Sequence, residues 1–306
     1  MPRFSVIIPF HNAADTLDAT LQSLQEQSFD DWEAICVDDR STDGSDRIVS
    51  RYAACDHRIV LRKNVGVGPS NARNVAAQNA TGTYLSFCDA DDLWTPHRLS
   101  DLNAAFRETR ADGLFGRVAF FRDRPDDATS QSTVPGKCLT ISDLLGENPV
   151  CTMSNLTVSA AGFQRSGGLD PSMIHNEDLE FLIRFIGTGH RIEGLDRLHV
   201  WYRTSQRGLS SNLAAMFTGR ECAITAARAY GVETTPAQEA IYMRYLARRS
   251  LRLGHDPRDA LHFTKAGLAR DPRAFMHPLR RGGLTTLAAF IAPILPLAMR
   301  HSLFAR

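Results

Sequence analysis

FSVIIPFHNAADTLDATLQSLQEQSFDDWEAICVDD, residues 4–39, reads as two short apolar runs with an amphipathic stretch between them. The runs at 4–9 and 32–37 are of strand length and rich in β-branched residues. Between them, Leu17, Leu21 and Leu24 recur at helical spacing. Runs apolar on both faces belong to strands covered on both sides, so the stretch predicts a β-α-β unit with buried parallel strands. Working outward, 59–61 is a third short strand candidate, 66–80 a small-residue helix carrying Asn74, Ala76 and Ala77, and 84–88 (YLSFC) a fourth strand. Strands alternating with helices at this spacing predict an α/β fold, an open, doubly wound, Rossmann-like sheet that binds ligands beyond the carboxyl ends of its strands.

Polar residues crowd those ends. Pro9 to Asn12 follow the first strand, Asp38 and Asp39 the second, Asn64 the third, and Asp89, Asp91 and Asp92 the fourth. Each alone has an ordinary explanation, because Asp and Asn favour turns and helix caps. Four strand ends loaded alike are harder to dismiss. In SFCDADDLW, an extended D-x-D places Asp89 and Asp91 on one side of a strand end, where two hard oxygen donors can share a divalent cation that also holds a diphosphate.

The remaining chain bounds the answer. Its 306 residues, net charge +1, 43% hydrophobic and 23% charged, describe a folded chain large enough for a substantial core, and exclude disorder and collagen. The near-zero charge argues against a general nucleic-acid binder. Cys36, Cys55, Cys88, Cys138, Cys151 and Cys222 form no C-x-x-C pair and read as buried free thiols of a reducing compartment. The start, MPRFSVIIPF, lacks the features of a secretory signal, so a cytoplasmic location is expected. Beyond residue 100, strands are expected at 114–121, 154–158, 192 and 199–203, and a helix at 177–186. Helices follow at 213–230, 236–253 and 257–268, the last two as a hairpin joined by Gly254, His255 and Asp256. The segment 284–299, LTTLAAFIAPILPLAM, follows Arg280 and Arg281 and is broken by Pro293 and Pro296. It is too short to span a bilayer. Two readings compete: a peripheral contact with anionic lipid, at the inner face of the plasma membrane, or a helix folded onto the body.

VIIPFHNA, VDDRSTDGS, KNVGVGPSNARN, ATGTYLSFCDADDLWTPHRL, SGGLDPSMIHNEDLEFLIRF and VWYRTSQRGLSS, in this order over residues 4–211, resemble the motifs of family 2 glycosyltransferases with the GT-A fold. The helical C-terminus lies outside the resemblance. It implies a GT-A domain over 1–211, with a nucleotide-sugar half at 1–100 and an acceptor half at 101–211. A helical extension at 212–275 and an apolar, basic end at 276–306 follow. Pro9 and Asn12 would line the nucleotide cleft, with Asp38 reaching the base and Asp39 beside it. Asn64 and Arg73 would finish the nucleoside and phosphate pocket. Asp89 would lie near ribose and metal, Asp91 would ligate Mn²⁺ or Mg²⁺ between the phosphates, and Asp178 would be the general base. The implied reaction is inverting transfer from a nucleoside-diphosphate sugar, with a lean toward UDP, to a hydroxyl of a saccharide or lipid-linked saccharide in polysaccharide assembly.

Several residues carry two readings. Glu177 and Asp178 are also ordinary first-turn carboxylates of a helix, and Glu177 is a candidate acceptor or diphosphate contact. Arg73 could be a solvated helix residue, and Trp94 either a core anchor or an aromatic stacked on a sugar. Family members often carry a histidine where this chain has Ser205. Arg207, whose fork suits phosphate oxygens, is an alternative diphosphate contact, or merely a surface arginine. Two other classes compete. A metal-dependent nucleotidyltransferase would normally show a glycine-rich basic loop after the first strand, and VIIPFHNAAD has neither glycine nor lysine. An inactive GT-A scaffold or carbohydrate-binding subunit would not need the acidic set. G-x-x-x-x-G-K-[ST] and H-E-x-x-H are both missing, against a P-loop NTPase and a zincin.

Overall fold

The structure is a computed structural model that describes residues 1–128, 130–204, 208, 211–254 and 256–304. It divides into two compact units, residues 1–139 with 149–205, and residues 140–148 with 206–306. Residues 140–148, expected in the first domain, join the second unit, and 212–275 and 276–306, expected as separate segments, fall in one unit.

The first unit opens with β1 (Phe4–Phe10), α1 (Leu17–Gln25), β2 (Trp32–Asp38), α2 (Ser45–Cys55), β3 (Ile59–Lys63), α3 (Pro69–Asn79) and β4 (Tyr84–Phe87). β1 pairs in parallel with β2 and β4, and β2 with β3. Every residue of β1 is buried, as a strand covered on both faces requires. Leu17, Leu21 and Leu24 of α1 are buried with Phe4, Val6, Ile8 and Trp32 in one core.

Next come β5 (Leu93–Trp94), α4 (Arg98–Glu108), β6 (Gly113–Phe121) and β7 (Ser130–Gln131). After α5 (Ile141–Leu144), which belongs to the second unit, the chain adds β8 (Thr157–Ser159), α6 (Ala160–Arg165), α7 (Glu177–Gly187) and β9 (Ile192–Arg203). Among the described residues the strands run β3-β2-β1-β4-β8-β6-β9-β5, with β7 on β6. β8 lies antiparallel to β4 and β6, so the parallel nucleotide-type half passes into a mixed half at β8. The expected extended pieces at 192 and 199–203 are one strand, bulged against β6 between Phe115 and Val118. The strand expected at 154–158 starts later, after a 3₁₀ turn at Met153–Asn155.

The second unit continues with α8 (Leu213–Ala229), α9 (Pro236–Leu253), α10 (Pro257–Arg270), α11 (Pro272–Met276), α12 (Leu279–Ile291) and α13 (Leu297–Phe304). Thr235, Asp256 and Asp271 cap α9, α10 and α11 with their side chains, each just before a proline at the first helical position. The oxygen satisfies an orphan N–H, and the proline has none to lose. Leu213, Tyr242, Met243 and Leu246 form the core of this unit. Buried Arg220 lies over the Tyr242 ring and donates to Glu239 and to the Leu145 carbonyl. His255 of the hairpin connection lies outside the described residues.

The cysteine reading needs correction. All six are free, but only Cys36 and Cys88 are buried. Cys55, Cys151 and Cys222 are exposed and Cys138 is half-buried. No helix among the described residues is long and apolar enough to cross a membrane.

Candidate active site

Loops after β1, β2 and β3 are tied together by the polar residues the sequence singles out. Asn12, in the left-handed region at φ 48°, accepts the Thr42 N–H at 2.8 Å, and its own N–H donates to Ser41 Oγ. Asp38 Oδ1 accepts the Ser41 N–H at 2.8 Å. Asp39 accepts from Asn64 Nδ2 at 2.7 Å and from the Gly68 N–H at 2.8 Å. Gly68, at φ 88°, adopts a conformation that strains any side chain, and this lets its amide reach Asp39 at the start of α3. Pro9 is buried inside β1, opposite Val37.

The second cluster centres on Arg73. This α3 side chain, 5% exposed, donates from Nη1 to Glu177 Oε1 at 2.8 Å and from Nη2 to Asp89 Oδ1 at 2.6 Å. Burial works against its charge, yet Asp89 and Glu177 outweigh burial and hold the guanidinium protonated more firmly than usual. Both terminal nitrogens thus bond to carboxylates, and Arg73 ties Asp89 to the start of α7. Glu177 is buried in the same pair.

One face of α3 builds this arrangement. Ser70, Arg73 and Asn74 sit at i, i+3 and i+4 spacing. Ser70 Oγ donates to the Met173 carbonyl, and Asn74 exchanges two hydrogen bonds with the Leu169 backbone. The stretch 169–176 is thereby held against α3, and Asn176, at φ 57°, turns it into α7 with Glu177 and Asp178 in the first turn.

Asp89 also receives support from behind: its N–H donates to Ser154 Oγ at 2.9 Å. Arg203, at the end of β9, fixes the D-A-D-D turn through its N–H to Asp92 Oδ1 and its Nε to the Asp91 carbonyl. Sequence reasoning missed Ser70, Asn74, Ser154 and Arg203 as site residues. The spacing on α3 was the available signal for the first two, whereas nothing local marks the others.

The electrostatics of this cluster are one-sided. Burial raises Asp91 to about 6, with Asp89 adding repulsion. Burial and then Glu177 raise Asp178 to about 7. Asp92, fully buried, is pushed well up by burial and by Asp91 and Asp89. Five carboxylates therefore share a region in which the single positive charge of Arg73 is bonded to two of them. Among the described residues no three His, Cys, Asp or Glu side chains converge as a complete metal cage. The donors fit a hard cation that takes one or two carboxylates and completes its shell with phosphate oxygens and water. Asp91 is the best placed, since among the described residues it accepts only from its own backbone amide.

Trp94 is a core anchor. It is 3% exposed, its indole N–H donates to the Ser154 carbonyl at 3.1 Å, and the Arg98 guanidinium covers the ring at 4.4 Å. Stacking on an acceptor sugar is thereby corrected, because no ring face is open. Arg207, Ser205 and Gln206 lie outside the described residues. A cleft of about 580 Å³ lined by residues such as Thr95, His97, Asp101, Arg117 and Arg197 includes none of the expected site residues. Its Arg117–Asp196 and Arg197–Asp101 side chains pair with each other.

Comparison with known proteins places this geometry. The family described as glycosyl transferase family 2 matches residues 5–165. The chain is 35% identical over 211 residues to the Escherichia coli UDP-Glc:alpha-D-GlcNAc-diphosphoundecaprenol beta-1,3-glucosyltransferase WfgD, covering 68% of this chain and 79% of WfgD. Among solved structures, S. aureus TarS 1–349 in complex with UDP-GlcNAc shares the fold at TM-score 0.63 and 19% identity, over 94% of this chain and 89% of that chain. The mannosyltransferase PcManGT from Pyrobaculum calidifontis, in complex with GDP-Man and Mn²⁺, does so at TM-score 0.57 and 21% identity, over 99% and 84%. The chain belongs to glycosyltransferase family 2 and has the GT-A fold, with a helical C-terminal region. It is a glycosyltransferase, and the nucleotidyltransferase alternative falls with that membership.

Proposed function

We propose that the protein is an inverting, cation-dependent glycosyltransferase that moves a sugar from a nucleoside-diphosphate sugar, a UDP-sugar, to a hydroxyl of a lipid-linked saccharide in polysaccharide assembly. The observation that carries this reading is the shortage of positive charge around Asp89, Asp91 and Asp178, with Arg73 already spent. The activity that WfgD is named for supports the donor and acceptor classes, and the Mn²⁺ held by PcManGT supports the cation.

In this reading the loops around Asn12, Asp38, Asp39 and Asn64 receive the nucleoside, with Asp38 toward the base. Asp89 and Asp91 would hold Mn²⁺ or Mg²⁺, and the cation would offset the negative charge developing on the departing diphosphate. Asp178 accepts the proton of the acceptor hydroxyl as its oxygen bonds to the anomeric carbon. The bond from that carbon to the diphosphate oxygen breaks on the opposite side. A raised carboxyl suits the role, because a base poised near working pH takes the proton without being permanently ionised in a buried site. A lipid-linked acceptor would place the enzyme at the cytoplasmic face of the membrane.

The test is release of nucleoside diphosphate from a panel of nucleotide sugars, with and without Mn²⁺ and a saccharide acceptor. Acceptor-stimulated release that stops with EDTA supports the proposal. Nucleotide binding with no turnover for any donor would reject it and leave a carbohydrate-binding scaffold.

A further inference from the structure

We propose that the outer face of α12, together with the turn that follows it, is a docking surface for an anionic lipid bilayer. The helix is inside-out for a surface helix in water. Its buried positions are small, Gly282, Thr285 and Ala289, whereas Leu284, Leu287 and Phe290 are 50–60% exposed. Ile294, in the 3₁₀ turn Ala292–Ile294, is 79% exposed and extends the same face. A large side chain could not replace Gly282, since even a Cβ there would lie 2.4 Å from Met276 Cα. Close packing fixes the small face inward and leaves the large apolar one outward. Contiguous exposed apolar side chains at i, i+3 and i+6, continued at i+10, mark an interaction surface and not scattered surface residues.

Charge selects the occupant. Residues 272–306 contain Arg273, Arg280, Arg281, Arg300 and Arg306, with no aspartate or glutamate. The second unit as a whole, 140–148 with 206–306, has 15 basic and 8 acidic residues, net +7, in a chain whose total is +1. Arg280, one turn before Leu284 on α12, and Arg273 of the preceding helix are both exposed, while Arg281 is turned to Glu147 at 3.1 Å. An apolar stripe flanked by exposed arginines fits the interface plane of an anionic leaflet, with leucine and phenylalanine in the acyl boundary and guanidinium groups at the phosphates. α12 has 13 residues and would lie along the surface.

Vesicle flotation of the full chain tests this, and because it needs no nucleotide sugar, it can fail while the transferase reading stands, or succeed if that reading fails. The chain is expected to float with phosphatidylcholine vesicles holding about 30% phosphatidylglycerol, much less with pure phosphatidylcholine, and to be released in part by about 0.5 M salt. Leu284→Ser/Leu287→Ser/Phe290→Ser should cut the bound fraction by about tenfold with the far-UV spectrum and Tm retained, since those side chains support no core. Arg273→Glu/Arg280→Glu should weaken binding to the anionic vesicles only. A parent chain that stays unbound, or a triple variant that floats like the parent, overturns the proposal. So does a concentration-dependent dimer, seen by sedimentation and abolished by the triple substitution without vesicle binding, which would assign the face to a second copy.

Discussion

Asp178 and Asp91 carry the most direct predictions, because both carboxyls are raised in a site short of positive charge. Asp178→Asn keeps the shape and removes the base, so kcat should fall by about 10²–10⁴ with the donor KM little changed. In the parent, the pH profile of kcat/KM should rise with one-proton slope up to about pH 7, the value for Asp178, and the rise should be lost in the variant. A carboxyl whose folded pKa exceeds its unfolded value of about 4 is protonated more readily in the native state. It therefore costs stability as pH climbs from about 4 through the folded pKa. For Asp91 and Asp178 that window closes at about 6 and about 7. Cation binding displaces those protons and removes the repulsion. Thermal unfolding should accordingly show a larger Mn²⁺-induced rise in Tm at pH 7.5 than at pH 5.5, and an equal rise at both would remove the cation from this cluster. Asp91→Ala should abolish the difference.

At the scale of elements, α3 is the strut of the site, since Ser70, Arg73 and Asn74 bind three separate points on the 169–177 stretch. Arg73→Met would leave Asp89 and Glu177 without their shared cation. Removing one partner of a buried ion pair costs about 3–5 kcal/mol, so urea unfolding should show a loss of that order. Asn74→Ala gives up two hydrogen bonds to the Leu169 backbone, and the expected loss is about 1–3 kcal/mol. Kinetically it should lower kcat more than it weakens nucleotide binding, because it loosens the segment that delivers Asp178 and leaves the loops near Asp38 alone. Comparable losses in kcat and in UDP affinity would show that α3 supports the whole cleft equally. α2 illustrates what periodicity leaves out. Only Ser45 and Val49 are buried in its 11 residues, too few to write a helical stripe. The two-residue β5 is likewise defined by its partner β9 and has no pattern of its own.

On the scale of the whole molecule, Trp32, Trp94 and Trp201 all belong to the first unit, so tryptophan fluorescence reports that unit alone. A UDP-sugar with Mn²⁺ at about 100 times Kd should stabilise it by about 2.7 kcal/mol, seen as a rise in the fluorescence-monitored Tm. An unchanged midpoint would detach donor binding from the β1–β4 half. Sequence by itself determined the β-α-β start, the strand ends loaded with acids, the D-x-D turn and the acidic pair opening α7. Those features are written in contiguous stretches, where the periodicity of apolar residues and the chemistry of a turn are local properties. Tertiary structure alone decided that Arg73 joins Asp89 to Glu177, 104 residues away, that Trp94 is closed in, that Arg203 pins the aspartate turn, and which side of α12 meets water. Each of these outcomes depends on burial and on charges brought together by distant parts of the chain. Field, desolvation and packing act through space, and the order of residues along one segment does not encode them.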